Sequence, residues 1–164
     1  MKKGWWERMK VLVIYDSKGG NTEKIAKAIA QGAASVEGVE AEAKKIGEPF
    51  PLTMLAEADV VAFGSPVIYA DVTDEMRGFL EHVGRYVDAG KMEVKDRRAA
   101  VFGSYGYDGA WIMEERLKKM VEGIGYEVQD KVCVEIDGNL RHHPADPLRN
   151  CRAFGKEIAE SLRE

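Results

Sequence analysis

A chain of 164 residues suits one domain, and a hydrophobic share of 45% is ordinary for a globular core. A net charge of −4 argues against nucleic acid or an anionic membrane as partner, because both select basic surfaces, and favours instead a basic patch on any protein partner. No apolar run approaches the length of a membrane span, and two cysteines are too few for an iron–sulfur or zinc site by themselves.

Residues 1–8, Met1-Lys2-Lys3-Gly4-Trp5-Trp6-Glu7-Arg8, are basic but lack the apolar core of a secretory signal. They read as an N-terminal extension whose Trp5 and Trp6 pack on the domain or on a second subunit of a homo-oligomer, with Met9 as the alternative natural start. Residues 9–164 then form a single domain in which short apolar runs alternate with amphipathic stretches, the pattern of βαβ construction. Strands are expected over 11–15, 39–46, 60–64, 99–103 and 127–136, and uninterrupted apolar runs imply strands covered on both faces. Helices are expected over 22–34, 73–86, 110–124 and 147–162, with a short turn at 52–58. Residues 87–98 read as a charged, solvated connection in which Gly90 forbids a helix, and 137–147 as a loop rich in Gly, Pro and His.

Asparagine occurs only at Asn21, Asn139 and Asn150 and glutamine only at Gln31 and Gln129, while Lys, Arg and Glu abound. That bias is expected of proteins from hot environments. Cys133, in an apolar run, is expected in the core, and Cys151, on a helix, in the core or at the surface. Both read as free thiols of a reducing cytoplasm. His82 lies on a helix and His142-His143 in a loop, a spacing that offers no metal site.

The most informative stretch is Asp16-Ser17-Lys18-Gly19-Gly20-Asn21-Thr22, between the first apolar run and the first helical pattern. A strand feeding a small glycine-rich loop that opens a helix is how parallel α/β proteins build a phosphate site. Ser17, Asn21 and Thr22 can donate hydrogen bonds to phosphate oxygens, Gly19 and Gly20 admit close backbone approach, and Lys18 adds positive charge. The spacing is neither that of a nucleotide-triphosphate loop nor the GxGxxG dinucleotide fingerprint. The same Ser, Asn and Thr would also serve as ordinary helix caps. Two further loops follow later runs: Gly64-Ser65-Pro66-Val67-Ile68-Tyr69, and Gly103-Ser104-Tyr105-Gly106-Tyr107-Asp108-Gly109.

Val13-Ile14-Tyr15-Asp16-Ser17, followed by Gly20, Thr22, Ala26 and Ile29, resembles the phosphate-loop signature of flavodoxins, and the third loop is similar to the isoalloxazine loop of the flavodoxin domain in flavodiiron proteins. The resemblance covers nearly all of residues 9–164. It implies a flavodoxin-like α/β three-layer sandwich: a five-stranded parallel sheet of order 2-1-3-4-5 with helices on both faces, and FMN beyond the carboxyl ends of strands 1, 3 and 4. The implied cofactor-binding residues are Ser17, Lys18, Gly19, Gly20, Asn21 and Thr22 in the first loop. Ser65, Pro66, Val67, Ile68 and Tyr69 follow in the second, and Ser104, Tyr105, Gly106, Tyr107 and Gly109 in the third. Tyr107 would stack on one face of the ring and Ile68 or Tyr69 on the other. Ser65 and Ser104 would serve the ribityl chain, the phosphate or the ring edge, and Pro66 would stiffen its loop. Asp71, Asp74 and Asp108 read as rim residues or helix caps, since carboxylates beside a negatively charged flavin repel it.

The resemblance implies an electron carrier that shuttles between redox proteins such as ferredoxin, rubredoxin or a separate reductase, with no catalytic residue of its own. The alternative is an NAD(P)H-dependent FMN quinone reductase, because Gly64-Ser65-Pro66 with Glu75-Met76-Arg77-Gly78-Phe79-Leu80 is similar to that family, whose FMN sites form between subunits of a tetramer. The short third loop departs from it. A receiver domain shares the strand order but requires an aspartate ending the third strand, where Ser65 follows instead.

Overall fold

Alternate residues of a strand point to opposite faces of its sheet, so a strand whose residues are all apolar must be covered twice. The computed structural model, which describes residues 7–107 and 109–162, meets that requirement. The strands are β1 (Met9–Tyr15), β2 (Val39–Lys45), β3 (Val60–Pro66), β4 (Arg98–Tyr105), β5 (Glu127–Val128) and β6 (Cys133–Ile136). All pair in parallel, in the order β2-β1-β3-β4-β5, with β6 also on β4.

Val11, Val13 and Tyr15 pack with α1 (Asn21–Ala34), α5 (Asp137–His142) and α6 (Ala145–Ser161) on one face. Leu12 and Ile14 pack with α2 (Thr53–Glu57), α3 (Asp74–Asp88) and α4 (Ala110–Ile124) on the other. This is the three-layer flavodoxin-like sandwich with the 2-1-3-4-5 order. Every crossover returns the chain to the same edge, so the carboxyl ends of β1, β3 and β4 lie side by side, with Tyr15 beside Gly64 and Pro66 beside Ser104.

Three expectations need correction. The fifth run is two strands: β4 advances from Ala99 to Phe102 while its partner advances from Val128 to Cys133, so two extra residues bulge out. The polar triplet Gln129-Asp130-Lys131 cannot sit in a doubly covered strand, and it supplies the excursion. Residues 87–98 are not merely a solvated connection, because Met92 and Val94 reach into the α3/α4 core and Val94 is fully buried. Residues 137–147 contain α5, pinned by buried Leu140 to the α1/α6 face.

Cys133 and Cys151 are both buried free thiols whose sulfurs stand 3.5 Å apart. The Cys151 contact and burial hold the Cys133 thiol well above the ordinary cysteine range. The extension expected over residues 1–8 falls mainly on residues 1–6, which lie outside the described residues, as does Asp108. No helix among the described residues is long and apolar enough to cross a membrane.

Helices α1 and α6 pack backbone to backbone. A Cβ on Gly32 would strike the Arg152 carbonyl, and one on Gly155 would strike the Ile29 carbonyl, so each helix presents a glycine to the other's backbone. Gly78, on the exposed side of α3, faces open space. Gly155→Ala is therefore expected to destabilise the protein by about 1–3 kcal/mol through overpacking. Gly78→Ala should stabilise it by about 0.5–1 kcal/mol through helix propensity. Denaturant unfolding of the two variants checks the opposite signs.

Candidate functional site

β1 ends at Tyr15, and the chain turns through Asp16 to Gly20 into α1. Gly20, the N-cap, has φ 91°, a left-handed conformation that glycine adopts without penalty. The Ser17 hydroxyl accepts from the Gly20 amide at 3.1 Å and from the Glu23 amide at 3.4 Å, so Ser17 closes the loop and caps the helix from outside. A Cβ at Gly19 or Gly20 would meet nothing within 4 Å, so the loop borders open space. The first N–H groups of α1 have no intrahelical acceptor, and the helix dipole makes that end favourable to an anion.

Lys18 carries the positive charge of this loop. Its ammonium lies 2.6 Å from the Glu75 carboxylate of α3 and 3.7 Å from Asp16 Oδ2. The Glu75 hydrogen bond raises the Lys18 pKa, and Lys18 in turn lowers that of Glu75. Asp16 Oδ2 and Asn21 Oδ1 are buried without a hydrogen-bond partner. Buried polar atoms are nearly always satisfied, so these two acceptors beside an anion-favouring helix end fit a ligand that brings hydroxyl donors along with a phosphate. FMN, with its ribityl hydroxyls, is such a ligand.

The two serines at the strand ends bond within the protein. The Ser65 hydroxyl donates to the Pro66 carbonyl at 2.8 Å and accepts from the Thr73 amide at 3.0 Å, holding the second loop against the start of α3. The Ser104 hydroxyl is 2.7 Å from that of Thr22, and both are buried, so the first loop is tied to the end of β4. Four of the hydroxyls expected at the cofactor, those of Ser17, Thr22, Ser65 and Ser104, thus bond within the protein. The glycine before each serine is there for space: a Cβ on Gly64 would enter the Phe102 ring, and one on Gly103 would meet the Ser65 carbonyl and Met113.

After Pro66, Val67 donates to the Ser104 carbonyl at 2.8 Å, joining the second loop to the third. Ile68 to Asp71 then form a two-residue hairpin with Tyr69 at φ 48° and Ala70 at φ 62°. The left-handed region costs a non-glycine residue about 1–2 kcal/mol. In the third loop Gly109, at φ 82°, caps α4, and a Cβ on it would stand 3.0 Å from that of Ala70. The two loops therefore touch.

Tyr69 and Tyr107, on the two loops that meet here, are 99% and 97% exposed, and Ile68 is partly exposed. Gly106 lies between Tyr105 and Tyr107, near the Asp137 carboxylate. Trp111, which the sequence does not single out, is 69% exposed on the first turn of α4. It lines a cleft of about 410 Å³ with Tyr105, Tyr107 and Glu114, whose carboxyl is raised by burial. A large aromatic immediately after the third loop was the available signal. Asp71 is also more than a rim residue, since it pairs with Arg77 and Arg116. Among the described residues no three of His, Cys, Asp and Glu gather as a metal site.

The sequence model of the flavodoxin family matches residues 13–152, and the chain belongs to that family. Membership makes FMN its cofactor, in agreement with the unsatisfied acceptors and open glycine loop. A flavodoxin from the domain Archaea is similar at 26% identity and TM-score 0.78, over 95% of this chain and 100% of that one. Two structures share the fold at lower identity. A WrbA-like flavodoxin from Agrobacterium tumefaciens has TM-score 0.78 at 18% identity, over 94% of this chain and 98% of that one. The Flv1 flavodiiron core from Synechocystis sp. PCC6803 has TM-score 0.75 at 21%, over 96% and 37%. The uncharacterized protein MJ0732 of Methanocaldococcus jannaschii is 29% identical over 158 residues, 92% of this chain. The chain spans only 36% of that relative's length.

The Thr22–Ser104 pair yields a test of how the site is assembled. Ser104→Ala leaves a buried Thr22 hydroxyl unpaired and should cost about 1–3 kcal/mol. The double variant Thr22→Val/Ser104→Ala removes both groups and should be destabilised by less than the sum of the singles. Urea unfolding of the four proteins measures the coupling.

Proposed function

We propose that this chain is an electron-transfer protein that exchanges electrons between redox proteins through bound FMN. The observation that supports this best is the pair Tyr69 and Tyr107, two almost fully exposed aromatic side chains on loops that meet at Ala70 and Gly109. Leaving two aromatic rings in water forgoes hydrophobic stabilisation that a flat ring held between them restores. FMN, when bound, supplies the one- and two-electron redox chemistry.

The chain's own residues bind and orient. Lys18, the Asn21 side chain and the first-turn amides of α1 hold the phosphate; Asp16 Oδ2 and Asn21 Oδ1 accept from ribityl hydroxyls. Thr22, Ser65 and Ser104 act through the loops they brace. Val67, Ile68, Tyr105 and Gly106 offer backbone groups and apolar surface to the ring. Asp71 and Glu75 are each engaged with a cation, which gives neither an evident proton-transfer task. Trp111 extends the exposed aromatic edge, where we place the contact with a donor or acceptor such as a ferredoxin, a rubredoxin or a separate reductase.

The direct test is to saturate the protein with FMN, remove the excess, and follow flavin absorbance anaerobically. A carrier stays oxidised after NADH or NADPH and bleaches when a reduced electron-transfer protein is added. Rapid bleaching by NADH or NADPH alone would make it a nucleotide-dependent reductase instead.

The Lys18–Glu75 pair gives a second prediction. Phosphate and the Glu75 carboxylate compete for the same ammonium, so Glu75→Gln should tighten FMN binding by about threefold, in keeping with the modest worth of exposed ion pairs. Riboflavin, which lacks the phosphate, should bind unchanged, and the FMN effect should shrink as salt rises. Fluorescence quenching titrations with the two ligands measure the difference.

A further inference from the structure

The hairpin at Ile68–Asp71 holds a conformation its residues do not favour. It is closed by two backbone hydrogen bonds, Ile68 N–H to the Asp71 carbonyl at 2.9 Å and Asp71 N–H to the Ile68 carbonyl at 3.0 Å. Its central pair, Tyr69 and Ala70, is left-handed at both positions, the geometry that turns of this length reach most readily with Asn-Gly. Strain of this kind persists only where the surroundings over-determine it.

One side chain supplies most of that determination. Asp71 Oδ1 accepts from its neighbour's amide, Val72 N–H, at 2.8 Å, fixing the exit of the turn. Asp71 Oδ2 receives Arg77 from α3 at 2.5 Å and Arg116 from α4 at 3.2 Å. Arg77 also lies against the Met120 sulfur of α4 at 3.8 Å. Two helices thus converge, through two guanidinium groups, on the last residue of the strained turn. A charge-assisted network with one carboxylate at its centre is stiffer than the isolated surface pairs that contribute little. On the other side, Gly109 closes against Ala70.

We infer that Asp71 is a positioning residue: by bridging Arg77 and Arg116 it holds the Tyr69–Ala70 turn in its left-handed shape and so presents Tyr69 to the flavin ring. The inference rests on the reading that the ring lies against this turn. It assigns Asp71 a task in the free protein, before any cofactor arrives. A turn already held in shape binds without an ordering cost, which a relaxed turn would bring to the binding step.

The test joins amide hydrogen exchange in the flavin-free protein with FMN affinity. Asp71→Asn keeps an acceptor for the Val72 amide but removes the charge that both arginines share. Exchange at the amides of residues 68 and 71 should rise at least tenfold, with Val13 and Ile14 in the core unchanged, and FMN should bind about tenfold more weakly. Ala70→Gly removes the strain at one of the two positions, so Ala70→Gly/Asp71→Asn should recover FMN affinity to within about threefold of Ala70→Gly alone. Unchanged exchange in Asp71→Asn, or a loss of affinity that Ala70→Gly does not rescue, overturns the inference. Raised exchange with unaltered FMN affinity supports the clamp but overturns the placement of the ring against this turn.

Discussion

The buried hydrogen bond between the hydroxyls of Thr22 and Ser104, 82 residues apart in sequence, is the constraint on which the site depends. It exists because β1 and β4 run parallel on either side of β3, so that their carboxyl ends finish at one edge of the sheet. With that bond made, the loop after β1 and the loop after β4 cannot move independently. Val67, bonded to the Ser104 carbonyl, adds the loop after β3 to the same unit. Gly64 and Gly103 permit it by leaving room for Phe102 and for the Ser65 carbonyl, where any side chain would force the strands apart. A site assembled from three loops is thereby given the rigidity of the sheet.

Within this unit the polar groups divide into two sets. The hydroxyls of Ser17, Ser65, Thr22 and Ser104 bond to the protein, closing loops and capping or joining elements. Asp16 Oδ2 and Asn21 Oδ1 do not, and they are buried at the mouth of the glycine loop. A low-dielectric setting makes an unsatisfied acceptor costly, so these atoms mark where the fold is completed by something other than itself. The charged groups divide similarly. Asp71 is committed to two arginines, whereas the exposed Lys18–Glu75 pair can be exchanged for a phosphate at little cost.

Much of this was legible in the sequence because it is written locally. Apolar runs covered on both faces announce parallel strands, and Gly19-Gly20 with Ser17, Asn21 and Thr22 announces a glycine loop opening a helix, which is where the structure turns from β1 into α1. The features that were not legible depend on what lies across the fold. The break at Gln129-Asp130-Lys131 lies between the apolar flanks Val128 and Val132-Cys133-Val134, and the register of β4 shows that two residues are left over. Met92 and Val94 looked like part of a charged segment because their burial depends on α3 and α4. The pairing of Ser104 with Thr22 is not legible locally, because the two are distant in the chain. Tyr69 and Ala70 carry no sequence mark of a left-handed turn, since the clamp at Asp71 imposes it.

The central claim is that the three loops at the carboxyl edge act as one FMN site. Amide NMR of the flavin-free protein during titration with FMN tests it most directly. Gly20, Tyr69 and Tyr107 should shift together, with one dissociation constant, while the cleft at the opposite end of the sheet, lined by Lys10, Glu40 and Glu57, stays unchanged. Shifts confined to one loop, or centred on that opposite cleft, would contradict the account.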